Sequence, residues 1–371
     1  NDTSFNAFVS GRGMFINAGL LLQSETPGEA IGVIAHELGH LIGGHQARLA
    51  DRLKTAQRIA KFTTLLGIGL GAAGAATGNS DVASAGFGVV GGGQSIALRN
   101  LLSYRRGEET SADRAAVSLL KKTKQSGIGM LKTFKRLAQQ QAIRAGRVDP
   151  YMQSHPVPRD RIRALEGSVK ASPYYKKRSS AALRERHDMA RAKIAAYLGG
   201  TRYARAVLNS KSLSPEARIY GRAIVAHLYG SPKKALSLIN KASKLNPKNA
   251  YLHEMRGEIL LRSGKGKKAA KAFAKAVKLD RYGAGFLRVE LGHALLESGS
   301  KADAKKAIVQ LKKGLARDPT ATAGYQYLAR AYSEVGDVPR ASVIATRAGD
   351  AAGHATPSDA ERPHTDRRKG G

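Results

Sequence analysis

The sequence predicts a mainly α protein in two parts: a helical domain carrying one small β-hairpin, then an all-α solenoid of helical hairpins. Three observations carry that reading. The motif His36-Glu37-Leu38-Gly39-His40 sits in a capped, amphipathic helical segment. Two short β-prone runs precede it, around the turn Ser10-Gly11-Arg12-Gly13. In the second half Gly230, Gly264, Gly299 and Gly336 recur at a period of roughly 34 residues.

Composition sets the outer bounds. The chain has 371 residues, with 62 Lys and Arg against 28 Asp and Glu, a net charge of +34. At roughly 100–200 residues per domain, that length fits two or three domains. With no cysteine, a disulfide framework, a thiolate metal site and a cysteine nucleophile are all excluded, so any metal must sit on His, Asp or Glu. The positive charge is spread over both halves, aromatics are 6% and tryptophan is absent, so stacking platforms are scarce and no nucleic-acid partner is expected. A solvated basic surface, attracted to anionic lipid heads or acidic clients, is the reading of that charge. The first residue is Asn1, and no basic and apolar leader follows it. The reading is of a processed or truncated chain that lacks its targeting segment and the opening part of its first domain.

Residues 5–22 read as the hairpin. Thr26 can cap a helix, Pro27 suits its first position, and Glu29 completes a capping box. Ile31, Ile34, Ala35, Leu38, Leu41 and Ile42 then form a helical apolar face. Residues 67–93, rich in glycine and alanine, read as a loose helical hairpin or mobile loop, a candidate lid. The longest weakly apolar stretch, Phe62 to Leu98, is broken by Gly67, Gly69, Gly71, Gly74, Gly78, Asn79 and Asp81, so no membrane-spanning helix is expected. A hydrophobic hairpin resting on a membrane surface is the alternative, a peripheral contact. Helices follow over about 98–120 and 126–145. A loop from about Asp149 to Pro158 leads to a short helix near Arg159.

In the second half, Ala235, Ala269, Ala307 and Ala341 each follow a repeat glycine, and Ala223, Gly257, Gly292 and Ala329 precede it. Small residues at these offsets let two helices approach closely, and the glycine permits the turn between them. This is the tetratricopeptide (TPR) pattern, about four repeats over 216–354. The third unit holds roughly three extra residues. The domain reading is a metallopeptidase domain over 1–175, a helical connector or degenerate repeat over 176–215, the repeats, and a disordered tail over 355–371. The array offers a concave surface to a protein partner or client.

The chemistry rests on His36 and His40. Four residues apart on a helix, they share one face, and both imidazoles can reach one ion. Glu37 beside them can take a proton from an attacking water. A hydrolytic zinc site needs a third protein ligand, and Glu109 in Glu109-Thr110-Ser111-Ala112-Asp113 is the choice, giving two histidines and a glutamate around one Zn²⁺ per chain. Asp113, one turn on, can orient a ligating imidazole. Glu108 points away and reads as solvated. If the helix continues, His45 faces away from the metal and reads as structural, with Arg48. His187, His227, His253, His293, His354 and His364 read as surface or packing residues.

On these motifs the chain resembles the HExxH zinc peptidases related to the CAAX prenyl protease and HtpX. HELGH followed by His45, and ExxAD beginning at Glu109, carry the resemblance, which covers about residues 5–170. It implies a zincin-type fold of the gluzincin kind and Glu109 as the third ligand. The family's HPxxxxR element corresponds to His155-Pro156-Val157-Pro158-Arg159-Asp160-Arg161. By resemblance, His155 and Arg161 approach the active site, to stabilise the oxyanion or gate the open metal position. Asn6-Ala7-Phe8 and Phe15-Ile16-Asn17-Ala18-Gly19-Leu20 resemble the family's substrate-edge hairpin, so an extended substrate is expected along Met14, Phe15, Ile16, Asn17 and Ala18. Arg105 departs from the family, where serine is frequent. With its repeats the chain is similar to periplasmic β-barrel assembly-enhancing proteases. That implies degradation of misfolded or stalled outer-membrane proteins, a periplasmic location peripheral to the outer membrane, and assembly machinery as partner. The alternative is chiefly a chaperone or scaffold with a latent, gated peptidase site.

Overall fold

The computed structural model describes residues 2–143, 151–152, 155–198 and 200–353. The chain divides into two compact units, Asn1–Ile194 and Ala195–Gly371.

In the first unit, β1 (Ala7–Ser10) and β2 (Gly13–Ile16) pair antiparallel, with Ala7 opposite Ile16 and Ser10 opposite Gly13. Gly11 turns the hairpin at φ +58°, where a side chain would be strained. Strand alternation buries Ala7 and Val9 and leaves Phe8 stacked on Phe15, ring centroids 5.3 Å apart. The β-run is shorter than the sequence predicts. The chain turns into α1 (Ala18–Gln23) after Asn17, whose N–H donates to Asn6 O and ends the ladder. Asn17 and Ala18 are therefore not strand residues, and Leu20 and Leu22 reach the core from a helix.

α2 (Pro27–Gly43) carries the HExxH motif. Pro27 stands at its start, but the capping box does not close. Glu29 is buried and held by Arg136 (2.8 Å) and Lys132 (3.2 Å), and its reach back goes to the Glu25 N–H, 3.3 Å away. Two cations outcompete one backbone donor for this carboxylate. The helix stops at Gly44, which is left-handed at φ +62°.

The segment expected as a loose hairpin or loop is continuous helix. α3 (His45–Thr77) and α4 (Ser80–Lys122) run antiparallel, joined at Gly78 (φ +68°), with the Asn79 side chain capping α4. Helix-interior glycine costs ~1 kcal/mol relative to alanine. Here close packing offsets that cost, since a Cβ on Gly74 would stand 2.3 Å from the Ala83 nitrogen. By length and composition alone, one helix does reach what a membrane span requires. α3 holds an 18-residue window of mean hydropathy 1.4, long and apolar enough to cross a membrane, and only 11% of that window is buried.

α5 (Ile128–Ile143) and α6 (Arg159–Lys170) complete the surroundings of α2. Leu20, Val33, Ala116, Leu120, Met130, Phe134, Leu137, Tyr151, Leu165 and Val169 form one core. At ~25 cal/mol per Å² of apolar surface, this burial holds the site's elements in place. Parts of the predicted loop, 144–150 and 153–154, lie outside the described residues.

The second unit contains four helix pairs: Pro215–Tyr229 with Pro232–Leu245, Ala250–Arg262 with Gly266–Leu279, Gly285–Leu296 with Lys301–Arg317, and Thr322–Val335 with Val338–Gly353. The second helix of the third pair has 17 residues against 14 in the first two pairs. Gly264, Gly299 and Gly336 turn in the left-handed region, whereas Gly230 turns at φ −138°. Gly257 lies under the Phe273 ring and Gly292 under Leu311, so the small residues stand where paired helices touch. The predicted disordered tail, 355–371, lies outside the described residues.

Candidate metal centre

The site forms where α2, α4 and the start of α6 meet. α2 and α4 approach closely because residue 39 is glycine: a Cβ there would stand 2.6 Å from Ala112 O. This brings Glu109 and Asp113, one turn apart on α4, against His36 and His40 on α2.

His36 and His40 face each other through Nε2, 3.0 Å apart. Glu109 lies 3.4 Å from His36 Nε2 and 3.3 Å from His40 Nε2. His155 joins them, with Nδ1 3.0 Å from Glu109 Oε1 and 3.4 Å from His36 Nε2. One ligand atom from each of these four residues lies within 4.8 Å of the other three. All four are buried.

Each histidine is oriented from behind. Asp113 lies 2.9 Å from His36 Nδ1. Arg161 grips Asp113 through two bonds, 2.6 and 2.9 Å, donates to Pro156 O at 2.8 Å, and reaches Glu109 Oε2 at 2.7 Å. His40 Nδ1 meets His45 Nδ1 at 2.8 Å, and His45 Nε2 lies 3.0 Å from Glu108, which also pairs with Arg48 at 2.9 Å. A proton on His40 Nδ1 shared with His45 Nδ1, and one on His36 Nδ1 facing Asp113, would leave Nε2 of each site histidine for a metal once the second proton of His36 is displaced. His45 does not face away, because α2 ends at Gly44 and the angular count past it fails. The His45 ring lies over Gly43, where a Cβ would be 2.2 Å from Nε2. Glu108 is not solvated but closes this relay. The pair Gly43-Gly44 was the signal for a helix stop there.

The charges are strongly coupled. Burial alone would push His36 down, but hydrogen bonds to Asp113 and Glu109 prevail and raise it to about 9. Burial pushes Glu37 up to about 7 and His155 down to about 4. Burial opposes ionisation of Glu109 and Asp113, yet His155, His36 and His40 hold Glu109 well below the carboxylate range, and Arg161 with His36 holds Asp113 down.

A divalent ion fits this donor set. Two imidazoles and a carboxylate converge, and Glu37 is buried beside them with His155 Nε2 standing 3.5 Å from its Oε1. A cation with its attendant water would satisfy all of them. Beside the cluster lies a cavity of ≈180 Å³ lined by Glu37, His40, Glu109 and His155 at one side and by Phe8 and Val9 at the other. None of Met14–Ala18 lines it, so β1 rather than β2 borders the site. The open edge of β1 is occupied by Gln46, whose amide nitrogen donates to Val9 O and whose oxygen accepts from Gly11 N at 3.1 Å.

A buried cluster of this kind on an HExxH helix defines a metallopeptidase-type domain. Residues 1–169 match Peptidase family M48. A protein of Vibrio cholerae serotype O1, described as a "Putative beta-barrel assembly-enhancing protease", is 26% identical over 262 residues. The match takes in 67% of this chain and 51% of that protein, so the chain spans about half the length of its relative. Among solved structures, "MamA MSR-1 C2" overlays at a TM-score of 0.38, with 17% identity over 46% of this chain and 97% of that one. "MamA 41-end from Desulfovibrio magneticus RS-1" gives 0.38, with 18% identity over 45% and 94%. At those scores the repeat architecture rests on the helix pairs themselves.

Proposed function

We propose that the chain is a zinc-dependent metalloendopeptidase acting on misfolded or stalled proteins of the bacterial envelope. The observation that supports it best is the convergence of His36, His40 and Glu109 beside a buried Glu37. These three residues would hold the ion, with Asp113 and His45 fixing the rings. Zinc held there supplies Lewis acidity towards water and the scissile carbonyl. Glu37 takes the proton of the attacking water and returns it to the leaving amine; a carboxylate raised towards neutrality suits both transfers. Arg161 fixes Asp113 and Glu109 and brings a buried positive charge to the site. An extended substrate would pair with the hairpin through its backbone, tolerating many side chains. The edge beside the cavity is β1, so such a peptide must displace Gln46.

Glu37→Gln should keep stoichiometric zinc and lose cleavage of unfolded casein by at least ~10²-fold. Cleavage at the wild-type rate would overturn the role given to Glu37.

The position of His155 favours a second reading, a latent site in a protein that is chiefly a scaffold or chaperone. Its Nδ1 lies among the ligand atoms, where it can occupy the metal's open position. His155→Ala should then raise casein cleavage several-fold, whereas a fall would assign His155 to oxyanion stabilisation. The relative's description, a β-barrel assembly-enhancing protease, supports a link to β-barrel assembly, and the proposal extends this to assembly machinery as partner and a periplasmic location beside the outer membrane. The repeats would bind the client or that partner. A Glu37→Gln chain that still restores outer-membrane assembly in cells would favour the scaffold reading.

A further inference from the structure

The α3–α4 pair is built inside out for a helical hairpin in water. Its interior seam is made of small residues: a Cβ on Gly67 would stand 2.3 Å from Val90 Cγ2, one on Gly86 2.5 Å from Gly67 O, and one on Gly93 2.3 Å from Thr63. The large apolar side chains point outward instead. Leu65 is 71% exposed and Phe87 81%, and Phe62, Ile68, Ile96 and Leu98 are exposed with them. Small-residue seams with large apolar residues outside are how helices pack in lipid, where no hydrophobic gain draws the large groups inward.

The charges match that solvent. Asp81, at the turn, is the sole charged residue between Lys61 and Arg99. Each uncharged arm is 16 or 17 residues, Phe62–Thr77 and Val82–Leu98, so at ~1.5 Å per residue it extends ~25 Å, most of the ~30 Å hydrocarbon thickness. At the base of both arms, Arg58, Lys61 and Arg99 form an exposed basic collar. Within the hairpin the backbone is satisfied by its own helices, with Gly78 and Asn79 N–H groups bonded to Ala75 O and Gly74 O at the turn.

We propose that this hairpin is a lipid-inserting element that enters a bilayer arms together, with Arg58, Lys61 and Arg99 against anionic phospholipid heads. The inference goes beyond the peptidase reading and does not depend on it.

Vesicle flotation of the full chain tests this. Vesicles of phosphatidylethanolamine and phosphatidylglycerol should retain the protein, and phosphatidylcholine vesicles should bind it on the order of a hundredfold more weakly, at ~1 kcal/mol for each of three basic residues. The triple variant Arg58→Glu, Lys61→Glu, Arg99→Glu should erase that preference. Leu65→Asp with Phe87→Asp should stop flotation on both. The chain has no tryptophan, so the Phe87→Trp variant carries a single indole fluorophore. Its emission should shift blue on binding and be quenched by acyl-chain-brominated lipid. Glu37→Gln should float like wild type, which separates this proposal from the peptidase reading. A chain that stays at the bottom of the gradient, or a Phe87→Trp variant whose emission brominated lipid leaves unchanged, would overturn it. A lipid-free dimer that Leu65→Asp with Phe87→Asp dissociates, with no flotation, would likewise overturn it and assign the apolar face to a second copy.

Discussion

His45 shows how much of the site's order lies behind the residues that would touch an ion. Its ring stands between His40 Nδ1 and Glu108, and so fixes which His40 nitrogen is free. His45→Ala should weaken zinc binding ~10–100-fold, the usual cost of losing an outer partner. Competition titration with a chelator measures it, and unchanged affinity would show that His40 is oriented without help. Gly43 carries no polar side chain, yet it belongs to the same relay because its missing Cβ admits the His45 ring. The i, i+4 spacings of His36 with His40 and of Glu109 with Asp113 made the inner set legible in the sequence. His45 was not, because its place depends on where one helix stops.

At the scale of elements, β1 rather than β2 borders the cavity, with Gln46 standing where a peptide's backbone would pair. Gln46→Ala should raise kcat/KM on unfolded casein roughly 2–10-fold, since displacing its one bond to the strand, at Val9 O, costs ~0.5–1.5 kcal/mol. A fall would instead make Gln46 a strut of the hairpin. The hairpin, the HExxH helix and the repeat pairs were legible because period-2 runs, period-3.6 apolar faces and recurrent glycines are local signals. The α3–α4 pair was not. Glycine lowers helix propensity, and only the partner helix shows that Gly67, Gly74, Gly86 and Gly93 serve a seam. The exit from β2 was also illegible, since Asn17 ends the strand through a bond to Asn6, on the strand's far side.

At the scale of the whole molecule, the two compact units have separate cores, and the titrating cluster lies in the first. Its His36 is raised from 6.5 to about 9 by carboxylates, so in metal-free protein it contributes stability that is complete below pH 6.5 and lost as pH rises through 9. Glu37, raised from 4.5 to about 7, has the same sign over a lower range. His155, lowered from 6.5 to about 4, has the opposite sign, and its contribution is complete above pH 6.5. Between pH 7 and 9 the His36 effect therefore stands nearly alone. Calorimetry of chelator-treated protein should show the first unit's transition falling over that range, while the repeat unit's transition stays put. With zinc restored the fall should vanish, because the ion replaces the proton on His36. A pH-independent first transition in metal-free protein would contradict the coupling of His36 to Asp113 and Glu109.

The rod that starts at His45 and the rod that carries Glu109 are the same two that hold the outward-facing Leu65 and Phe87 at their distant ends. Lys61 is 16 residues from His45, and Arg99 is 10 from Glu109, so levers of ~24 and ~15 Å join the collar to the reaction centre. If the hairpin inserts as proposed, the same two helices that hold it in lipid would also set the spacing of His45 and Glu109 at the candidate metal centre.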